Sequence, residues 1–287
     1  MKTMKNLIFA ASLLPLATIV HANGPSKESI DLDGDGNADR ITQFEAKKDS
    51  DYLKTTRHVI IHLSSLGSPV EYDISSETES IELYPLKTGE LVVDRSDRSS
   101  RDAAEFDYSV YGWVAAERSF CLKADVSGTP ANQLQGEIFS TDAKVNRYNP
   151  CFKLGEDERT AKPVDIDHLR QLTLQDLRAI KKGEEIPEYL AYEIATIVDP
   201  STVAEINDAG YFQEQSNHLR SALIILNAVH EKFPRRTPVK INLADAYWKM
   251  GQKNMACSLY ASYKADREQA GSSIPKRAVE RSHCRKL

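Results

Sequence analysis

Four aspartates crowd one short run of the chain, IDLDGDGNADRI at 30–41: Asp31, Asp33, Asp35 and Asp39 fall at positions 1, 3, 5 and 9 of a loop that turns on Gly36. Carboxylates this close repel one another unless a positive charge sits among them. The spacing suits a hard, oxygen-seeking cation, because alternate side chains and one backbone carbonyl, that of Asn37, can surround a single ion while glycine permits the sharp turn. The expected site is a structural Ca2+ loop made by Asp31, Asp33, Asp35, Asn37 and Asp39. An Asp/Gly-rich β-turn without metal uses the same residue types. All the ligands are hard oxygens and no general base is identifiable beside them, so an ion here fixes local structure rather than performs chemistry.

Other chemistry-bearing residues form no recognisable constellation. His58 and His62 share one face of a strand-like stretch without a third ligand nearby in sequence, which reads as a polar strand face. No GxSxG elbow and no Ser, His and acid grouping with a known signature occurs. The four cysteines, Cys121, Cys151, Cys257 and Cys284, lack CxxC spacing and read as two disulfides rather than a metal site. Each half of the chain holds its own pair, so the expected bridges are Cys121–Cys151 and Cys257–Cys284. Three pairings are possible in principle.

That disulfide reading agrees with the start of the chain. Lys2 and Lys5 precede an apolar run from Leu7 to Val20, and Ala22 is a plausible cleavage position, so residues 1–22 read as a secretory leader. The expected compartment is the periplasm, with the extracellular space as the alternative, and no later segment has the ~18 apolar residues of a membrane span. Removing the leader takes two of the 37 basic residues and leaves 35 against 42 acidic ones, a net charge of −7. Such a charge argues against sequence-blind nucleic-acid binding, which needs a basic face.

The elements that must position the loop read as strands. Ile30 enters it and Ile41 to Phe44 leave it in an extended pattern. Position 12 of the loop is Thr42, where a helix-flanked EF-hand needs a bidentate Glu. The DxDxDGxxD run with strand-like flanks instead resembles the calcium loops of FG-GAP or VCBS-type repeats. That resemblance covers about 15 residues and occurs once, whereas a propeller repeats it in every blade. Residues 57–63 alternate, with Val59, Ile61 and Leu63 on one face. Further strands are expected at 80–84, 90–93, 106–114, 119–124 and 135–139, in one antiparallel sheet. On the strand at 106–114, Tyr111 and Trp113 are read on the polar face. The run 94–102, with three arginines and three aspartates, reads as a solvated hairpin.

From Val164 the periodicity becomes helical. Residues 165–182 and 187–197 carry apolar positions at three- and four-residue spacing, with Gly183 ending the first helix and Pro187 opening the second. Taking Val203 as position 1 of a 34-residue unit places Gly210 at 8, Ala222 at 20, Leu226 at 24 and Pro234 at 32. One period on, from Thr237, Ala244, Ala256 and Tyr260 take 8, 20 and 24. This is similar to the tetratricopeptide repeat, in which small residues at 8 and 20 let two helices approach. The likeness spans roughly 199–270 and departs at Gln213 and Glu268. A last helix is expected at 275–284, whose basic residues Lys276, Arg277, Arg281, Arg285 and Lys286 read as a solvated outer face.

The expected architecture is α+β: a leader at 1–22, a mainly antiparallel β domain at 23–160 and an all-α, tetratricopeptide-like domain at 161–287. The resemblance implies a scaffold that binds a protein or peptide rather than an enzyme. A sharper variant is an inhibitor or immunity protein against a periplasmic, envelope-attacking enzyme. The rival from another class is a hydrolase of envelope polymers with the acidic loop at its active site. A third reading, a glycan binder, uses Tyr111 and Trp113.

Overall fold

Alternate burial along β-branched residues builds the first sheet. The computed structural model describes residues 30–44, 47–48, 55–76, 81–95, 106–129, 142–148, 151–156 and 162–283. Among these, β1 (Arg40–Gln43), β2 (Lys47–Lys48), β3 (Thr55–His62) and β4 (Val70–Ser76) form one antiparallel sheet. β3 is its centre. Val59, Ile61 and the following Leu63 are buried, while His58, Ile60 and His62 are half-buried on the other side, as period-two alternation demands. β4 pairs along one edge of β3, and β1 and β2 share the other.

The second sheet is a meander of β5 (Glu82–Pro85), β6 (Leu91–Asp94), β7 (Phe106–Val114), β8 (Ser119–Gly128) and β9 (Lys144–Arg147). Gly89, with φ +92°, makes the turn into β6. Beyond β9, residues 152–154 return to β8, where Leu122 N–H donates to Phe152 O at 2.7 Å and Leu154 N–H to Phe120 O at 2.8 Å. The Cys121–Cys151 disulfide pins this return. Cys257 is also disulfide-bonded, while Cys284 lies outside the described residues.

All four residues of β6 are buried, the pattern of a strand covered on both faces. One face of the second sheet, with Leu91, Val93, Tyr111, Phe120 and Leu122, packs on Val59, Ile61, Leu63 and Ile74 of the first. The opposite face, with Val92, Val110, Ala124, Val126 and Val145, joins the core of the helical half. The fold is thus three layers: sheet, sheet and helices.

Two expectations change here. The strands form two sheets rather than one, because both faces of the central strands are apolar and each recruits its own layer. β4 and β9 are strands that the sequence pattern did not mark, whereas the expected strand at 135–139, the expected domain boundary at 160 and most of the 94–102 hairpin lie outside the described residues. The common core runs across that boundary region.

Seven helices follow among the described residues. α1 (Ile166–Ala179) is capped by Asp165, which accepts from His168 N–H at 2.8 Å. α2 (Glu188–Thr196) buries six consecutive residues, Tyr189 to Ile194, and packs against both β9 and α4. A helix buried all round belongs to a core. α3 (Val203–Gln215) with α4 (Leu219–Lys232), and α5 (Thr237–Lys249) with α6 (Lys253–Gln269), form two antiparallel hairpins, and α7 (Lys276–Arg281) closes on α6. The hairpins begin 34 residues apart, at Val203 and Thr237. Gly210 is seated so tightly on α4 that a Cβ there would stand 2.7 Å from Leu226 Cγ.

Gln213 has a local reason to be polar. It is buried, its Oε1 accepts from Ile186 N–H at 2.9 Å and its Nε2 donates to Glu184 O at 2.6 Å, which ties α3 to the α1–α2 connection. On the basic C-terminal face Lys276 and Arg277 are exposed, as expected, but the face is also tied inward: Arg277 bonds both oxygens of the mostly buried Asp245, and the half-buried Arg281 donates to Tyr260 at 2.8 Å. Arg285 and Lys286 lie outside the described residues. Among the described residues, no helix is long and apolar enough to cross a membrane.

Candidate functional site

Asp39 closes the acidic loop. Its backbone N–H donates to Ile30 O at 2.7 Å, while its carboxylate accepts from Leu32 N–H and Ser64 N–H, each at 2.7 Å. Asp31 fills the interior of the turn by accepting from Gly34 N–H at 2.8 Å, Gly36 N–H at 2.8 Å and Asp35 N–H at 3.2 Å. Gly34 and Gly36 have φ of +77° and +84°, which a side chain rarely adopts. Asp33 accepts from the Ser65 hydroxyl, and Asp35 from the Ser64 hydroxyl at 2.5 Å and from Asn37 N–H at 2.7 Å.

These bonds bring three carboxylates together. Asp31, Asp33 and Asp39 each offer an oxygen within 4.8 Å of the others, and they are the group among the described residues that could hold a metal ion. Asp35 stands outside that group, on the exposed side of the loop with Asn37. The hydrogen bond from Ser64, followed by that from Asn37 N–H, holds the Asp35 carboxyl below its ordinary pKa. The donor set is all oxygen, as a hard divalent cation requires.

Three further residues position the loop and were not expected. Ser64 and Ser65 belong to the turn between β3 and β4, and they fasten Asp33, Asp35 and Asp39 to it. Gly89 sits under the loop, where a Cβ would lie 2.7 Å from Asp31 O. Ser-Ser after a strand is an ordinary turn signal, and only the fold shows what it meets. The flanks are also less strand-like than expected, since Ile30 makes a single bridge to Asp39 rather than a strand.

A second polar cluster lies at the junction of sheet and helices. β7 and β8 pair with a bulge at Val110/Tyr111, which leaves Lys123 as the extra residue. Its stem crosses Gly112, and Nζ reaches Glu90 Oε1 at 3.1 Å, where the Tyr189 hydroxyl of α2 also donates at 3.1 Å. Arg147 of β9 donates to Asp176 of α1 and stands 3.3 Å from Glu193 Oε1 of α2. Thr173 donates to that same oxygen.

Burial dominates the electrostatics of this cluster. It pushes the Glu193 carboxyl up from its ordinary value, against the opposing pull of Arg147 and the Thr173 hydroxyl. Burial, with Glu90 beside it, also drives the Tyr189 hydroxyl well up. For Arg147, burial opposes the charge, but Glu193 and Asp176 together outweigh it and the guanidinium is held more firmly protonated. The sequence pattern missed this cluster because its members are spread from 90 to 193. Gly112 inside a strand was the one local sign, since an interior glycine marks a bulge or a close approach.

The remaining candidates are placed elsewhere. Tyr111 is not on a polar face. It is fully buried between the sheets, and Trp113 packs edge-on to Phe120 with ring centroids 5.2 Å apart, so the pair forms no exposed sugar platform. His58 pairs across strands with Asp73 at 2.9 Å, and His62 sits opposite Arg40. Compared with protein-family models, with curated proteins and with solved structures, the chain matches none.

Proposed function

We propose that the chain is an exported, non-enzymatic interaction module of the periplasm. In this reading the helical half presents a recognition surface to a protein or peptide, and the sheet half is braced by a calcium ion. The observation that carries it is the pair of helical hairpins offset by 34 residues with Gly210 packed on Leu226. A tetratricopeptide-like register calls for such close approach of the two helices at its small residues, Gly210 and Ala222, and arrays of this kind carry extended binding surfaces. On α3 the exposed residues Ala204, Asp208, Tyr211 and Gln215 recur at helical spacing and make one stripe.

The Cys121–Cys151 bridge supports export, since disulfides persist in oxidising compartments. Calcium is supported by the oxygen-only cluster of Asp31, Asp33 and Asp39, with Asp35 and the Asn37 carbonyl as the further ligands of the proposed loop. The experiment is site-specific photo-cross-linking in the periplasm of a bacterial host. A cross-linker at Tyr211 should trap one discrete protein, competed away by unmodified chain, while a cross-linker at the exposed Glu71 on β4 should not. Equal capture at both positions, or none at Tyr211, overturns the reading.

A further inference from the structure

The junction between the second sheet and α2 carries an unbalanced charge. Its linked members are Glu90 on β6, Lys123 on β8, Arg147 on β9, Thr173 and Asp176 on α1, and Tyr189 and Glu193 on α2. Lys123 and Asp176 form its solvent-facing ends, with side chains 40% and 39% exposed, and water screens both. The centre is dry: Glu90, Arg147 and Glu193 are 10%, 7% and 0% exposed. There, Glu193 has beside it one guanidinium, which it shares with Asp176, while Glu90 takes Lys123 from the edge.

The hydrogen bonds leave this imbalance unrelieved. Arg147 spends its Nη2 on Asp176, and although its Nε is 3.3 Å from Glu193 Oε1, it makes no hydrogen bond. Oε2 of Glu193 and Oε2 of Glu90 are buried without partners. From α4, the other element against α2, Ser221 donates to Ile186 O at 2.6 Å, and Arg220 pairs with Glu188 at the outer end of α2. Neither brings a cation to the centre. A buried carboxylate that is short of donors is costly, and its neutral acid is much less so.

We propose that this junction is a proton-linked latch, in which docking of α2 on the sheet takes one proton from solvent onto Oε2 of Glu193. No covalent bond changes apart from the O–H bond formed. The proton neutralises the deepest carboxylate and leaves Arg147 to serve Asp176 and Lys123 to serve Glu90. Burial of Glu193 raises its affinity for that proton in the folded chain above that in the unfolded chain. The sign follows: the stabilising contribution is complete below the ordinary glutamate value and fades as pH rises through the raised one. The latch therefore tightens in acid and slackens toward neutral and alkaline pH. It rests on neither the acidic loop nor the recognition surface.

The test is urea unfolding of the full chain and of Glu193→Gln across the acid-to-alkaline range, with the carboxyl carbon of Glu193 followed by NMR in the unaltered protein. One linked proton predicts that the ratio of folding constants, unaltered over variant, falls about tenfold per pH unit within the titration window. Glu193 should itself titrate above the range of ordinary glutamates. Parallel pH curves for the two proteins overturn the latch. If the variant does not fold, the NMR midpoint decides alone: a midpoint in or below the ordinary range, or a raised midpoint found on Glu90 or Asp176 instead, overturns the assignment.

Discussion

The stem of Lys123 lies across the α-carbon of Gly112 so closely that a methyl group there would stand 2.4 Å from Lys123 Cε. Gly112→Ala must therefore lift the lysine away from Glu90. Because Lys123 is partly exposed, the expected loss is about 1 kcal/mol or less. A double-mutant cycle checks the cause. Gly112→Ala should cost almost nothing in a Lys123→Ala background, and additive costs would show that the two residues are not coupled.

Gly210 offers a harsher version of the same experiment. Its neighbour Leu226 is fully buried and cannot swing into solvent, so Gly210→Ala should overpack the α3–α4 hairpin and cost about 1–3 kcal/mol. Trimming the neighbour with Leu226→Val should recover part of that loss in chemical unfolding. If Gly210→Ala is neutral, the helices are not in the close contact described.

Calcium should raise the melting temperature of chelator-stripped protein, and isothermal titration should record the matching heat. Free ion at 100 times its Kd stabilises the folded chain by about 2.7 kcal/mol. Asp31→Asn with Asp33→Asn should abolish both signals. Gly89→Ala, which pushes on Asp31 O and strains a residue at φ +92°, should weaken them without removing a ligand. Calcium heat that persists in the Asp31/Asp33 variant would place the ion elsewhere.

Breaking the Cys121–Cys151 bridge by Cys→Ser at both positions frees a loop with a sequence separation of 30. The chain-entropy model assigns such a loop about 3–4 kcal/mol. Equilibrium unfolding without reductant should show that loss in the variant against the unaltered chain, and reductant, which also opens the bridge at Cys257, should remove the difference between the two.

Acid should loosen the entry to α3. The Ser201 hydroxyl, and after it Arg170 and the N–H groups of Ser201 and Thr202, hold the Asp199 carboxyl well below its ordinary value of 3.8. A depressed pKa contributes stability that is present above the ordinary value and is lost as pH falls below it. Asp199→Ala should flatten the fall of the thermal midpoint in that acid range and lower the midpoint at neutral pH. This sign is opposite to that of Glu193, so the two variants should separate in pH scans.

Some of this was legible in the sequence, and the limits have physical causes. The alternation around Val59 and Ile61 is a local signal and is where the pattern places it, whereas the first helix ends at Ala179 with its C-cap at Ile180, short of Gly183. Gly210 is also a local signal for close helix contact, but its tight neighbour is Leu226, which the register assigned to the gap before the next unit. Tyr111 was misread because alternation separates inside from outside only when one face meets water. β7 is covered on both sides. The acidic loop could be seen as a cluster, but not its dependence on Ser64, Ser65 and Gly89, since those contacts join segments 25 residues apart or more. The junction around Glu193 had only Gly112 as a local sign.

α2 has a consequence for the order in which the molecule is made. Its apolar residues complete the second face of β6 to β9, so a nascent chain ending before Ile194 presents Val92, Val110, Val126 and Val145 uncovered. Such a face on a paired sheet invites association with other chains. A sheet that pairs before α2 has been made therefore leaves this apolar face open to other chains.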